Sequence, residues 1–108
     1  MSNAMAQDDL STLLEQLEFM YRVGRNNDDL GFADRALQAY DATIARGRMR
    51  TEYYAARACL QAGIICEEKG DKARAIQYYE TCISLEKHDF EDAIEQRAKA
   101  GIARCSGK

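Results

Sequence analysis

Four cysteines and one histidine are the residues of this 108-residue chain best equipped for chemistry. Cys59, Cys66, Cys82 and Cys105 contain no C-x-x-C pair and His88 is the single imidazole, so the ligand spacing of a structural zinc site is missing. Small buried thiols are the expectation. A helical chain of this length closes a core without disulfides, which fits a reducing compartment. His88 falls at an expected helix boundary, as a solvated turn or cap residue. Asp28-Asp29 and Glu67-Glu68 pair carboxylates in sequence, but adjacent helical residues diverge, so both pairs read as solvated helix ends. No GxSxG, HExxH, phosphate-binding glycine loop or dinucleotide fingerprint occurs. Without a converging acid, base and nucleophile, the chain is not expected to be an enzyme, and no metal or cofactor is implied.

Since no single motif carries a function, the elements that position side chains become the informative level. Hydrophobic residues make up 46% of the chain and charged residues 31%, with no proline, a balance that suits a folded all-helical domain and excludes disorder. The net charge of −3 gives no overall attraction to nucleic acid or to an anionic membrane. Arg46, Arg48 and Arg50 cluster around Gly47, where cations at a helix C-terminus are favourable. Residues 1–4, Met-Ser-Asn-Ala, look like a cloning scar before Met5, and residues 5–108 are expected to form one domain. No apolar run approaches the 18 or so residues that span a bilayer, and nothing after Met5 resembles a signal peptide, so a cytoplasmic protein is expected.

Self-comparison shows a repeat at an offset of 39. Gly24 aligns with Gly63, Gly31 with Gly70, Arg35 with Arg74, Ala36 with Ala75, Gln38 with Gln77, Tyr40 with Tyr79 and Ile44 with Ile83. Leu10, Leu13, Leu14, Leu17, Met20 and Val23 recur at three- and four-residue steps and predict a first helix over about 9–27. Thr12 with Glu15 offers a capping box, and Asn26-Asn27-Asp28-Asp29 is poor helix material. Further helices are predicted over about 36–46, 51–69, 72–87 and 89–105, in units of about 9–50, 51–88 and 89–105. Gly47 is placed to take a left-handed cap after the second. Neither helix of a pair covers its apolar face alone. Gly70 therefore reverses the chain, Asp71 accepts a backbone hydrogen bond at the next helix start, Ala75 allows close approach and Tyr79 fills space one turn later.

These residues resemble the tetratricopeptide repeat family. The run from Ala56 to Asp89, ARACLQAGIICEEKGDKARAIQYYETCISLEKHD, looks like one unit, with Gly63 at the helix-packing glycine, Gly70-Asp71 at the turn, Ala75 at the small crossing residue, Tyr79 at the aromatic and Leu85 near the end. Residues 18–50 resemble a weaker copy. Asp89 to Cys105 look like a further first helix or a capping helix, with Ala100-Gly101 echoing Ala62-Gly63 at offset 38. Several positions depart from the family: Met20 and Cys59 replace one large aromatic, Asn27 and Cys66 another, and Lys87 stands where the family has proline. Smaller side chains between the helices are the consequence. The longer period of 39 is similar to that of extended members. The resemblance implies antiparallel helical hairpins, about five helices in all, stacked as a short right-handed superhelix or solenoid.

It also implies a protein-binding scaffold in which the first helices of successive units line a concave groove for a peptide or helix of a partner. The family's groove positions fall on Glu18, Tyr21, Arg22, Arg25 and Asp29, then Arg57, Leu60, Gln61, Ile64 and Glu68, then Glu95, Ala98, Lys99 and Ile102. Independently, Arg57, Leu60, Ile64 and Glu68 step by three and four and share one helix face. Tyr21, Leu60 and Ile64 among Arg22, Arg25 and Arg57 suit a ligand with an apolar anchor and a carboxylate. The Lys and Asn pair that clamps a partner's C-terminal carboxylate in some members is not reproduced, since Tyr21 and Arg25 stand where it would begin. In the competing reading Leu60 and Ile64 pack on the last helix or a neighbouring chain, and the protein is a self-association module or homodimer. Ile94, Ala98, Gly101, Ile102 and Cys105 give the last helix one apolar side, which needs a partner.

Overall fold

The computed structural model describes residues 3–47, 54–85 and 91–107, with side chains from Thr12 onward and, in the last segment, from Ala93. Five α-helices account for almost all of them: α1 (Asn3–Asp29), α2 (Ala33–Gly47), α3 (Tyr54–Glu68), α4 (Lys72–Ser84) and α5 (Glu91–Cys105). No strand occurs among the described residues, and no described helix is long and apolar enough to cross a membrane. Arg48, Arg50, Lys87 and His88 lie outside the described residues.

Helix α1 starts earlier than the apolar spacing indicates and runs straight through Thr12, so Thr12 and Glu15 form no capping box. It also persists through the polar run to Asp29. Asn27 donates from Nδ2 to the Val23 carbonyl at 2.9 Å, and the Arg25 guanidinium lies 3.8 Å from both Asp28 and Asp29. Side chains that compete for backbone partners in an isolated helix are here engaged within the helix itself.

The two internal reversals are built alike. Gly31 and Gly70 both have φ of 83°, a left-handed conformation that a Cβ penalises. Around Gly31, its own N–H bonds Asp28 O at 3.0 Å and the Phe32 N–H bonds Asn27 O at 2.8 Å. Around Gly70, the bonds are Gly70 to Glu67 O at 3.0 Å and Asp71 to Cys66 O at 2.9 Å. This pairing satisfies the last carbonyls of α1 and α3 in one tight turn. Asp71 then caps α4, its Oδ1 accepting the Arg74 N–H at 3.2 Å. Gly47 behaves differently from its expected role. It is the last residue of α2 and is not among the positive-φ glycines; a methyl added there would meet Ala55 Cβ at 3.2 Å and Leu17 Cδ2 at 3.3 Å. Close approach, not backbone conformation, explains it.

Polar contacts between units fix their relative direction. Tyr54 donates to Glu18 Oε1 at 3.1 Å and Arg25 to Gln61 Oε1 at 2.8 Å, both spanning 36 residues, so α1 and α3 lie side by side and point the same way. Tyr78 to Asp41 at 2.6 Å does the same for α2 and α4, and Arg104 to Glu67 at 2.7 Å for α3 and α5. Since Gly31 and Gly70 reverse the chain between these layers, the odd helices form one layer and the even helices the other.

Two tyrosines hold the layers together. Tyr40 and Tyr79 are fully buried, and each ring lies against a glycine of the preceding helix. A methyl added at Gly24 would fall 2.5 Å from Tyr40 Cε1, and one at Gly63 the same distance from Tyr79 Cε1. The space left by these glycines is what the rings fill. Around them α3 buries Ala55, Ala56, Ala58, Cys59, Ala62 and Cys66, the small side chains the sequence implies for this interface. Gly101 corrects the register expected for the last helix. Its Cβ position would lie 2.5 Å from Tyr79 Cζ, so it packs on the preceding pair, whereas Gly63 packs on the aromatic of its own pair. The apolar side of α5, with Ile94, Ala98, Gly101 and Cys105 buried, thus docks onto α3 and α4.

Candidate functional site

The face shared by α1, α3 and α5 carries the expected groove residues, and they divide into two groups. Tyr21 is 6% exposed and Leu60 3%, and Ala98 is fully buried; these belong to the core and offer a ligand no free apolar surface. Tyr21 contacts the rings of Tyr40 and Tyr54 at centroid distances of 5.9 and 6.0 Å, and the Arg57 guanidinium lies 5.0 Å above its ring. Tyr21 and Leu60 both lie where the next parallel helix packs, so these two groove positions implied by the resemblance fall on buried side chains.

The second group stays at the surface. Arg22 is exposed and pairs with Glu18 at 3.0 Å within α1. Arg25 bridges to Gln61 on α3, Ile64 is half-buried, Glu68 is exposed, and Lys99 pairs with Glu95 at 3.3 Å on α5. Asp29 is exposed at the end of the row and Ile102 half-buried on α5. Leu60 and Ile64 reach the junction with the last helix, where a cleft of about 230 Å³ is lined by them with Tyr79, Arg97, Ala100 and Arg104. Packing toward α5, the competing reading, therefore describes Leu60.

A polar cluster that sequence reasoning missed closes this junction. Glu67 is not a solvated end. Its Oε1 accepts the Tyr79 hydroxyl at 2.7 Å, while Arg104 donates from Nε to Oε2 at 2.7 Å and from Nη2 to Oε1 at 3.0 Å. A bidentate guanidinium is the strongest partner a carboxylate finds among side chains. The bond from Arg104, and after it the one from Tyr79, hold the Glu67 carboxyl below its usual value against a desolvation that acts to raise it. Burial followed by the bond to Glu67 raises the Tyr79 phenol. Tyr40, its counterpart in the first pair, has a buried hydroxyl that no group among the described residues meets in good hydrogen-bonding geometry; the Arg25 guanidinium comes near enough for a weak, poorly aligned interaction. Tyr54 was missed too, and an available signal locates it: it precedes Arg57 by three residues and Gln61 by seven, on the same face.

The thiols are held away from reactivity. All four cysteines are buried and reduced, and burial, with Glu95 adding to it, pushes the Cys82 thiol up to about 12. Its Sγ donates to the Ala56 carbonyl at 3.4 Å. Among the described residues no cluster of three His, Cys, Asp or Glu side chains is arranged to hold a metal ion.

Paired helices stacked in parallel layers, with glycine-hinged reversals and a polar face shared by the first helices, define a helical-hairpin repeat protein. Residues 56–89 match the family model of the tetratricopeptide repeat, so this segment is similar to one repeat of that family. The matched segment contains α3, the Gly70 turn and α4, the same stretch that carries the sequence resemblance. No curated protein matches the chain. Repeats of this family generally mediate protein–protein interaction and are typically non-catalytic.

Proposed function

We propose that this chain is a non-enzymatic scaffold whose α1, α3 and α5 face binds an extended peptide or a helix of a protein partner. One observation carries the reading: Glu18–Tyr54 and Arg25–Gln61 lock α1 and α3 in register, so side chains from two parallel helices form one continuous surface. The contact set is Arg22, Arg25, Arg57, Gln61, Ile64, Glu68 and Lys99, with Tyr21 and Leu60 as its floor. Arg57 and Arg25 present guanidinium groups near the half-buried Ile64, which suits a ligand with a carboxylate beside an apolar side chain. Glu18, Glu68 and Glu95 alternate with the cations, so this surface lacks the single-sign field that a phosphate backbone requires, and a protein is the partner. Residues 5–108 act as one domain in this reading, in a cytoplasmic setting.

The test is affinity capture from cell extract with the wild-type chain and with a variant carrying Arg22→Glu, Arg57→Glu and Lys99→Glu, identified by mass spectrometry. All three side chains are at least partly exposed, so helicity by circular dichroism should be retained. Loss of specific captured proteins in the variant is expected. Identical capture by a folded variant would exclude this face.

A further inference from the structure

We propose that the chain forms a two-fold symmetric dimer through the outer side of α1, with Phe19 of each copy seated against the other. The docking side of a first helix can be read from α5, which among the described helices contacts only α3 and α4. The α5 residues that this preceding pair buries are Ile94, Ala98, Gly101 and Cys105. At the repeat offset they correspond to Ala55, Cys59, Ala62 and Cys66, all buried on α3. On α1 the same positions are Gln16, Met20, Val23 and Asn27, none of them buried, and among the described helices α1 touches only α2 and α3. Phe19 stands beside them at 68% exposure, where α3 has the buried Ala58. The chain thus carries on α1 the side with which later units dock, uncovered among the described residues, with Phe19, Met20 and Val23 as its apolar groups between the polar Gln16 and Asn27.

The opposite end does not complement it. Where α1 buries Leu17, Tyr21 and Gly24 against its neighbours, α5 has Glu95, Lys99 and Ile102. Glu95 and Lys99 neutralise each other, and Ile102 occupies the position where Gly24 and Gly63 admit a tyrosine ring. Head-to-tail stacking would desolvate that ion pair and set α1 of the next copy against a face with no counterpart of Tyr21. Two copies of the α1 side have no such conflict. Phe19 borders a groove of about 450 Å³ lined by Thr12, Glu15, Gln16, Met20 and Arg46, so one patch holds both a projecting ring and a recess. The groove also carries both signs of charge, in Glu15 and Arg46. Arg46 is held on α1 by its bond to Gln16 at 3.0 Å, and a two-fold axis running between it and Glu15 sets each against its opposite on the second copy, the self-complementarity that an isologous contact requires.

Sedimentation velocity across micromolar to millimolar concentrations tests this on the full chain. The wild type should move from monomer to dimer and no further. Phe19→Asp should weaken dimerisation by roughly a hundredfold or more, since two rings lose their burial per dimer. Glu15→Arg should weaken it as well, and adding Arg46→Glu to that variant should restore it. Phe32→Asp removes another exposed phenylalanine, at the α1–α2 turn, and should leave dimerisation unchanged. Should Asp disturb the helix by circular dichroism, Phe19→Ser repeats the test without charge. A wild type that stays monomeric at millimolar concentration, a series extending beyond the dimer, or dissociation by Phe32→Asp and not by Phe19→Asp would each overturn the proposal. None of these outcomes touches the groove, whose capture experiment stands separately.

Discussion

Replacing Gly63 with alanine sets two known effects against each other. Alanine in the middle of a helix is favoured over glycine by about 1 kcal/mol, so on propensity alone the variant should be more stable. The new methyl would lie 2.5 Å from Tyr79 Cε1, 2.7 Å from Cδ1 and 3.0 Å from Cζ. A ring with a free side could swing away, but Tyr79 has none. Gly101 on α5 confines its other edge, its own Cβ position being 2.5 Å from Cζ, and the hydroxyl is tied to Glu67 at 2.7 Å. Relief therefore requires α3, α4 and α5 to separate. Overpacking of a tight core costs about 1–3 kcal/mol, and a ring confined on both sides belongs at the upper end. Subtracting the propensity gain leaves a net loss of about 2 kcal/mol, equivalent to a fall in Tm of roughly 8 °C or more for a domain this size. Thermal and urea unfolding followed by circular dichroism measure it. A coupled control is Gly63→Ala combined with Tyr79→Leu, which should lose less than the sum of the two single changes because the obstructing ring is gone. If Gly63→Ala melts at or above the wild-type temperature, the account of the tyrosine as a close-packed wedge is wrong.

The two buried tyrosines should respond oppositely to loss of their hydroxyls. Tyr79→Phe leaves Glu67 with one partner fewer and should cost about 1 kcal/mol, whereas Tyr40→Phe removes a buried group with no well-aligned hydrogen-bond partner among the described residues and should be neutral or stabilising, both read as urea midpoints at constant m. Glu67 also ties stability to acid. Its folded pKa is lowered from the ordinary 4.5, so its contribution is complete above that value and is lost as pH falls through and below it. The difference in unfolding midpoint between wild type and Glu67→Gln should accordingly shrink between pH 6 and about pH 3. A difference that does not change with pH would detach Glu67 from Arg104.

What could be read from the chain before any coordinates was the part governed by backbone chemistry and local spacing. Gly31 and Gly70 announce reversals because only glycine takes a φ of 83° without strain, and Ala75 with Tyr79 announces a crossing because size complementarity is visible in residue types. Boundaries were less accessible. Tertiary and intrahelical partners keep Asn26 to Asp29 helical against their propensities, and a helix that continues upstream makes Thr12 an ordinary helical residue. Gly47 shows the limit of residue type as evidence, since a glycine at a helix end serves conformation in one place and close approach in another. The groove was legible as a face but not as a surface. Spacing identifies Leu60 as sharing a side with Arg57 and Ile64, yet its burial depends on how near α5 comes, which no periodicity encodes. The Glu67–Arg104–Tyr79 cluster joins residues 37 and 12 positions apart and leaves no local signature at all.

The same repeat offset that relates the units also separates their interfaces by chemistry. Between α1 and α3 the contact is a tilted ring pair, Tyr21 with Tyr54, backed by Tyr40 of α2, overlaid by Arg57 and edged by Arg25 with Gln61. Between α3 and α5 Leu60 and Ile64 replace Tyr21 and Arg25 in the repeat, Ala100 stands at the position of Gln61, and the polar bond moves along the helices to Glu67 and Arg104. One junction therefore carries cations over its covered rings at the shared face, while the other places its charges at the helix ends. On the function proposed above, a ligand on this face would meet guanidinium groups at the α1–α3 seam and the flank of Ile64 beside it, so specificity would reside in the first seam, and the second would hold α3 in position for it. Weakening the Glu67–Arg104 pair should then reduce partner affinity only as far as it loosens α3, whereas reversing Arg57 acts on the ligand itself.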